Sequence, residues 1–182
     1  MSMISEKGTV VKKEGVLELV PGYGIRLAKF EDMDEVCDIA KRAWKRIHDS
    51  FRAIMGSDMH SVVCANWEED KAMQVRLHFE RSPAWVYVVV DEADVTVGFV
   101  TFRVDEKKSL GTIGNNAMDV TCQGRGVGSA MHKFVLDLFR QQGLRFASVL
   151  TGLDEGHAPA RRAYEKAGFN IRREDVTYYM TL

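Results

Sequence analysis

The sequence is short of most features that mark a specialised class. It has three cysteines in 182 residues, Cys37, Cys64 and Cys122. An odd count without a repeated short spacing excludes a disulfide framework and fits a reducing cytoplasm. His60 and Cys64 stand four apart and can share a helix face, but no second ligand pair accompanies them, so no metal is expected. Charge of one sign is missing too: 25 Lys and Arg against 26 Asp and Glu leave a formal net charge of −1. Without a basic excess to neutralise a run of phosphates, nucleic acid is not an expected partner. Long apolar runs are absent. The longest, over 84–90, falls far short of the ~20 residues that span a bilayer, so no membrane is expected. The first residues, MSMISEKGTVVKKEG, lack the apolar centre of a signal peptide. There are three prolines, no internal repeat and no linker rich in Pro, Ser or Gly. The simplest organisation is one domain over 22–182, behind an N-terminal extension, 1–21, that holds a candidate short strand around Val16, Leu17, Leu19 and Val20.

What is present is an ordinary globular composition, 46% hydrophobic and 28% charged, in a chain long enough to bury one sizeable core. Polar–apolar alternation predicts a strand over 24–28. Asp32 is the expected N-cap of a first helix, whose apolar face is Val36, Ile39, Ala40, Ala43, Trp44 and Ile47. A second helix is expected over 68–81, with residues 48–66 unassigned between them. Pro83 ends that helix. The β-branched and aromatic run 85–90 reads as a strand, 91–94 as a turn and 95–104 as the next strand, with Gly98 as a bulge or close-approach point. A third strand is expected over 113–120. The cleanest helix follows, with Val127, Ala130, Met131, Phe134, Val135 and Leu138 on one face and Gly143 as its stop. A strand over 146–151 precedes a last helix with Pro159 in its first turn and Gly168 as its stop. Two closing strands are expected at 169–172 and 176–181. This order predicts an α/β (α+β) fold, a mixed and mostly antiparallel sheet of six to seven strands flanked by about four helices.

Between the third strand and the clean helix lies Cys122-Gln123-Gly124-Arg125-Gly126-Val127-Gly128-Ser129. Small residues where a strand gives way to a helix leave backbone N–H groups free to surround an anion, and the helix dipole adds positive potential. A Walker loop would need a lysine beside the last glycine, and none is there. A dinucleotide loop would need its third glycine one position later, after parallel strands, and the strands here read as antiparallel. The pattern Q/R-x-x-G-x-G/A is satisfied.

Thirty residues on comes His157-Ala158-Pro159-Ala160-Arg161-Arg162-Ala163-Tyr164-Glu165-Lys166-Ala167-Gly168-Phe169, which is similar to N-x-x-A-x-x-x-Y-x-x-x-G-F with His157 in place of Asn. The two patterns, in this order and joined by one helix and one strand, resemble the GNAT superfamily of N-acetyltransferases, which bind acetyl-coenzyme A (acetyl-CoA). The resemblance covers nearly all of the chain beyond the extension.

It implies an acyl-CoA-dependent N-acyltransferase domain over 22–182 that uses acetyl-CoA as co-substrate. The pyrophosphate would meet backbone N–H groups of Gln123, Gly124, Arg125, Gly126, Val127, Gly128 and Ser129. The pantetheine arm would pair with the backbone at Asn116 and Met118. His157 would hydrogen-bond that arm, or merely begin the helix. Tyr164 would be the general acid: a phenol with a pKa near ~10 stays protonated at neutral pH and can serve a leaving thiolate. No general base carries over, because Leu110-Gly111-Thr112-Ile113 holds no carboxylate. Asp119 is expected to point away, and a water chain, the Asn115/Asn116 amides or His48 are the alternatives, with His48 read as an exposed histidine. Cys122 has no activating base and no role as a nucleophile. Trp44, Phe51 and Met55 belong to the acceptor-side helices, and 48–66 is expected to set substrate choice. The implied activity is direct transfer of acetyl to a primary amine, on a small molecule or a peptide, in a cytoplasmic protein that forms a homodimer. The competing reading is a non-catalytic CoA-binding regulatory or interaction module of the same fold.

Overall fold

The computed structural model describes residues 15–182; the first fourteen residues of the expected extension lie outside the described residues. Six strands form one sheet in sequence order: β1 (Leu17–Val20), β2 (Tyr23–Leu27), β3 (Val86–Asp91), β4 (Thr96–Asp105), β5 (Leu110–Met118) and β6 (Phe146–Val149). Neighbours are antiparallel through β5, and β6 pairs with β5 in parallel. The candidate strand of the extension therefore forms and becomes one edge of the sheet. Four longer helices, α1 (Met33–Met55), α3 (Trp67–Arg81), α4 (Val127–Gln141) and α5 (Ala158–Ala167), are joined by a short α2 (Ser57–Val63).

The alternation of side chains along a strand divides the core in two. Val86, Val88 and Val90 of β3 pack with Met33, Val36, Ile39 and Ala40 of α1 and Val75 of α3. Val89 of the same strand joins Val127, Met131, Val135 and Phe139 of α4 on the other face. The expected periodicity of α4 thus reports the face that it buries. Gly98 is a close-approach point, since a Cβ there would collide with Met118 Sδ and the Ala117 carbonyl.

Three expectations need correction. Asp32 is the N-cap residue of α1, as expected, but its side chain makes no capping bond. Its carboxylate accepts from both terminal nitrogens of Arg26, at 2.7 and 2.8 Å, and from the Lys29 N–H at 2.7 Å. Burial works to raise its pKa, but these bonds win and hold it below the usual carboxylate range. Residues 48–66 are mostly helical: α1 continues to Met55, where Gly56 ends it with φ at 84°, and α2 follows. The closing strands do not form in the single chain, where 169–182 has no regular secondary structure and most of its side chains are exposed.

Two irregularities of β5 open the sheet. Val100 pairs with Asn116 and Phe102 with Ile113. Two steps on β4 thus match three on β5, which places one extra residue, a bulge, around Gly114 and Asn115. The pairing with β6 ends at Ile113 with Val149. Beyond that point β5 keeps a partner strand on one side only.

Candidate active site

A cleft of about 1010 Å³ lies along this unpaired stretch of β5. It is lined by residues of the glycine loop, of α5 and β5, and of α1 and α3 from the other layer. It therefore gathers the two sequence patterns that lie thirty residues apart.

The glycine loop forms as a strand-to-helix turn. Gly124 and Gly126 have φ of 79° and 80°, in the left-handed region that favours glycine, and Gly126 is the N-cap of α4. Among the described residues, no backbone N–H over 123–126 donates to a backbone carbonyl outside regular structure, and the first N–H groups of α4 have no intrahelical partner. Gln123 Nε2 donates to the Met118 carbonyl at 3.2 Å and ties the loop to the end of β5. Gln123, Gly124, Gly126, Gly128 and Ser129 line the cleft, and Cys122 lines it beside them. Two members of the motif turn away from it. The Val127 side chain is buried in the core, and Arg125 donates to the Tyr23 hydroxyl at 3.0 Å.

Tyr164 is buried, at 7% exposure, and faces β5. Asn116 Nδ2 donates to its hydroxyl at 3.0 Å and to the Gly114 carbonyl at 2.9 Å. The amide oxygen of Asn116 lies 3.0 Å from His132 Nε2. That oxygen can only accept, so the His132 nitrogen carries the proton. The Tyr164 hydroxyl meets both ends of that amide: it accepts from Nδ2, and at 3.3 Å it donates to Oδ1, whose second lone pair takes the His132 N–H. Burial pushes the His132 pKa down to about 4 and raises that of Tyr164, against the opposing Asn116 bond. Both groups are neutral at pH 7. Asn116 thus engages Tyr164 through its side chain, which the sequence had offered only as an amide relay for the missing base. His132 escaped the sequence reading because it sits beside the apolar stripe of α4; the one visible signal was a histidine next to Met131, within a helix that buries that face.

His157 lines the cleft. It occupies the N-cap position of α5 without a side-chain capping bond. Its Nδ1 lies 2.6 Å from Asp154 Oδ2. Burial tends to raise the Asp154 pKa, but the His157 bond and charge hold it below the usual range. Met118 lines the cleft. Asp119 is occupied elsewhere, by Arg42 at 2.6 Å and by the Thr121 hydroxyl at 2.7 Å. On the acceptor side, Trp44 and Phe51 line the cleft, whereas Met55 does not.

His48 is not the exposed residue expected. It is partly buried, stacks on Trp67 with ring centroids 4.2 Å apart, and its Nδ1 lies 3.3 Å from Nε2 of the buried His60. Desolvation first, and then the charges of His60, Lys71 and Arg52, push its pKa down to about 4. The fold also brings it to Cys64, so that His48, His60 and Cys64 each place one possible ligand atom within 4.8 Å of the others. The sequence offered only the last two. The positive charges of Lys71 and Arg52 acting on His48 oppose a divalent cation there.

The sequence matches the family described as "Acetyltransferase (GNAT) family" over residues 38–169, and the chain belongs to that family. No curated protein sequence matches it. Among solved structures, the chain is similar to the PaiA N-acetyltransferase of Thermoplasma acidophilum in complex with coenzyme A. That match has 14% identity and a TM-score of 0.67, over 84% of this chain and 92% of that one. It is also similar to the microcin C7 self-immunity acetyltransferase MccE in complex with acetyl-CoA and AMP, at 12% identity and a TM-score of 0.59, over 86% and 83%. A third is an aminoglycoside acetyltransferase from an uncultured soil metagenomic sample, in complex with sisomicin, at 16% identity and a TM-score of 0.52, over 91% and 99%. At such identities these likenesses speak for the fold. No described helix is long and apolar enough to cross a membrane.

Proposed function

We propose that this chain transfers the acetyl group of acetyl-CoA directly to a primary amine, with Tyr164 as the general acid, in a single acyltransferase domain over 22–182 to whose sheet β1 adds an edge strand. The co-substrate fits the cleft on two counts. Free N–H groups at 123–129 suit a pyrophosphate, and the one-sided stretch of β5 offers backbone groups at Asn116 and Met118 to the amides of a pantetheine arm. His157, held through Nδ1 by Asp154, keeps its other ring nitrogen for that arm.

The observation that carries the reading is the hydrogen-bond order His132 to Asn116 to Tyr164. It holds the Tyr164 phenol, protonated at neutral pH, at the cleft, where its proton is engaged only by the long 3.3 Å contact to Asn116 Oδ1 and can pass to a stronger acceptor. As the amine forms its C–N bond and the C–S bond breaks, the departing sulfur takes that proton, and the phenolate recovers one from solvent. The amine's own proton leaves to solvent, since no Asp or Glu among the described residues lines the cleft. A non-catalytic CoA-binding module would have no use for this arrangement.

The test is thiol release from acetyl-CoA with an amine panel. Tyr164→Phe is expected to lower kcat by about 100-fold and to leave the KM for acetyl-CoA unchanged. An undiminished kcat would remove Tyr164 from the acid role. We place the protein in the cytoplasm on its three free cysteines. We read it as a homodimer on the exposed apolar residues of 169–182, and its acceptor as a small molecule.

A further inference from the structure

Lys71 has no part in the scheme above. It stands on α3, and its Nζ donates to Gln74 Oε1 at 2.6 Å and to Asn115 Oδ1 at 3.1 Å. It also lies 4.3 Å above the Trp44 ring. Both bonded oxygens belong to neutral amides. Burial alone pushes its pKa down to about 8, with no carboxylate acting on it. A desolvated ammonium without a counter-ion is unfavourable unless something outside the chain supplies the charge.

The rest of the cleft has the same bias. Arg46, Lys71, Arg103, Arg162 and Lys166 line it, and no Asp or Glu among the described residues does, although the whole chain carries a net charge of −1. Arg162 and Lys166 stand on α5, on the same side of the sheet as the glycine loop's helix, where the anionic co-substrate is met. Lys71 belongs to the other layer, with Trp44, on the acceptor side. The bulge joins the two sides: Asn115 holds Lys71, and the next residue, Asn116, holds Tyr164. The cation and the acid hydroxyl are therefore bound by consecutive residues, and both line the one cleft.

We propose that the acceptor is a small zwitterionic amine, an amino acid or a close analogue, whose carboxylate pairs with Lys71 while its amino group faces the thioester beside Tyr164. The proposal rests on the acetyl-transfer reading and narrows its acceptor. A polycationic amine is disfavoured by the same feature, since its remaining charges would meet only like charges in the cleft.

The experiment measures thiol release from acetyl-CoA with matched pairs, each amino acid beside the amine that lacks its carboxylate, and with spermidine and an aminoglycoside as polycations. The carboxylate member is expected to show a kcat/KM at least tenfold higher. Lys71→Met should raise the KM for amino acids 10- to 100-fold and leave the KM for acetyl-CoA and for carboxylate-free amines in place. Lys71→Arg, which keeps the charge, should retain most of the preference and guards against a folding defect in the first variant. Equal kcat/KM within the pairs, or turnover confined to polycations, would overturn this proposal and leave acetyl transfer standing. So would a fall in kcat at constant KM in both variants, which would make Lys71 a proton carrier. No turnover with any amine, while acetyl-CoA still raises the Tm, would overturn both readings.

Discussion

His132 is 4% exposed, and burial holds its pKa at about 4 against an ordinary 6.5. Above pH 6.5 the imidazole is neutral in both folded and unfolded chains. Below it the unfolded chain takes up a proton that the folded chain refuses, so this contribution to stability is full above pH 6.5 and is lost as pH falls toward 4. At ~1.4 kcal/mol per pKa unit, the loss comes to ~3 kcal/mol at most. His48 and His78 are depressed in the same direction, so the wild-type Tm should drop steeply between pH 6.5 and 4.5. His132→Gln keeps a donor for Asn116 but cannot titrate, and its Tm should fall less over that range. Parallel curves would show that His132 is not a source of the slope. Single residues were legible in the sequence in proportion to how local their setting is. Tyr164 was found through a motif with fixed spacing. His132, Asn116 and Lys71 acquire their settings only when α3, β5, α4 and α5 converge, and no spacing along one element announces that.

Among elements, the glycine loop was legible because its constraint is local. Gly126 has φ at 80° and caps α4, a conformation that a β-branched residue adopts only with strain of ~1–3 kcal/mol. Gly126→Val is expected to reorient the free N–H groups and weaken acetyl-CoA binding at least tenfold, measured by titration calorimetry, with a matching loss of the ligand-induced rise in Tm. Unchanged affinity would detach the loop from the co-substrate. Strands β2 to β4 and helix α4 were equally legible, since each buries one face and writes its period into the sequence. The end of α1, 48–55, was not, because Arg52, Ala53 and Ile54 are exposed there and a helix without a buried stripe leaves no period to read. The bulge at Gly114 and Asn115 was hidden as well, since it is a mismatch between two strands.

At the scale of the whole molecule, the closing strands expose what a single sequence pattern leaves open. Val176, Tyr178, Met180 and Leu182 recur at the two-residue spacing of a strand with one apolar face, yet all four are exposed. A strand pattern predicts a strand only where an edge stands ready to receive it. The edge of the sheet at β6, four residues long, has no strand on its outer side among the described residues, and Phe146 on it is exposed. The chain therefore carries an open edge and an unpaired segment of matching character. The proposed homodimer would satisfy both if each copy lent its 170–182 segment to the β6 edge of the other, a pairing that twofold symmetry would close and that would bury the apolar side chains. Light scattering on the purified chain is expected to give the mass of a dimer. Deleting 170–182 should give a monomer that still binds acetyl-CoA, because the glycine loop, Asn116 and Tyr164 all precede the deletion. Asp replacements at Val176, Tyr178 and Met180 should do the same without shortening the chain, since three charges on the buried face oppose its docking. A full-length chain that is monomeric at micromolar concentration would overturn the dimer, and a dimer untouched by either change would place its contact elsewhere.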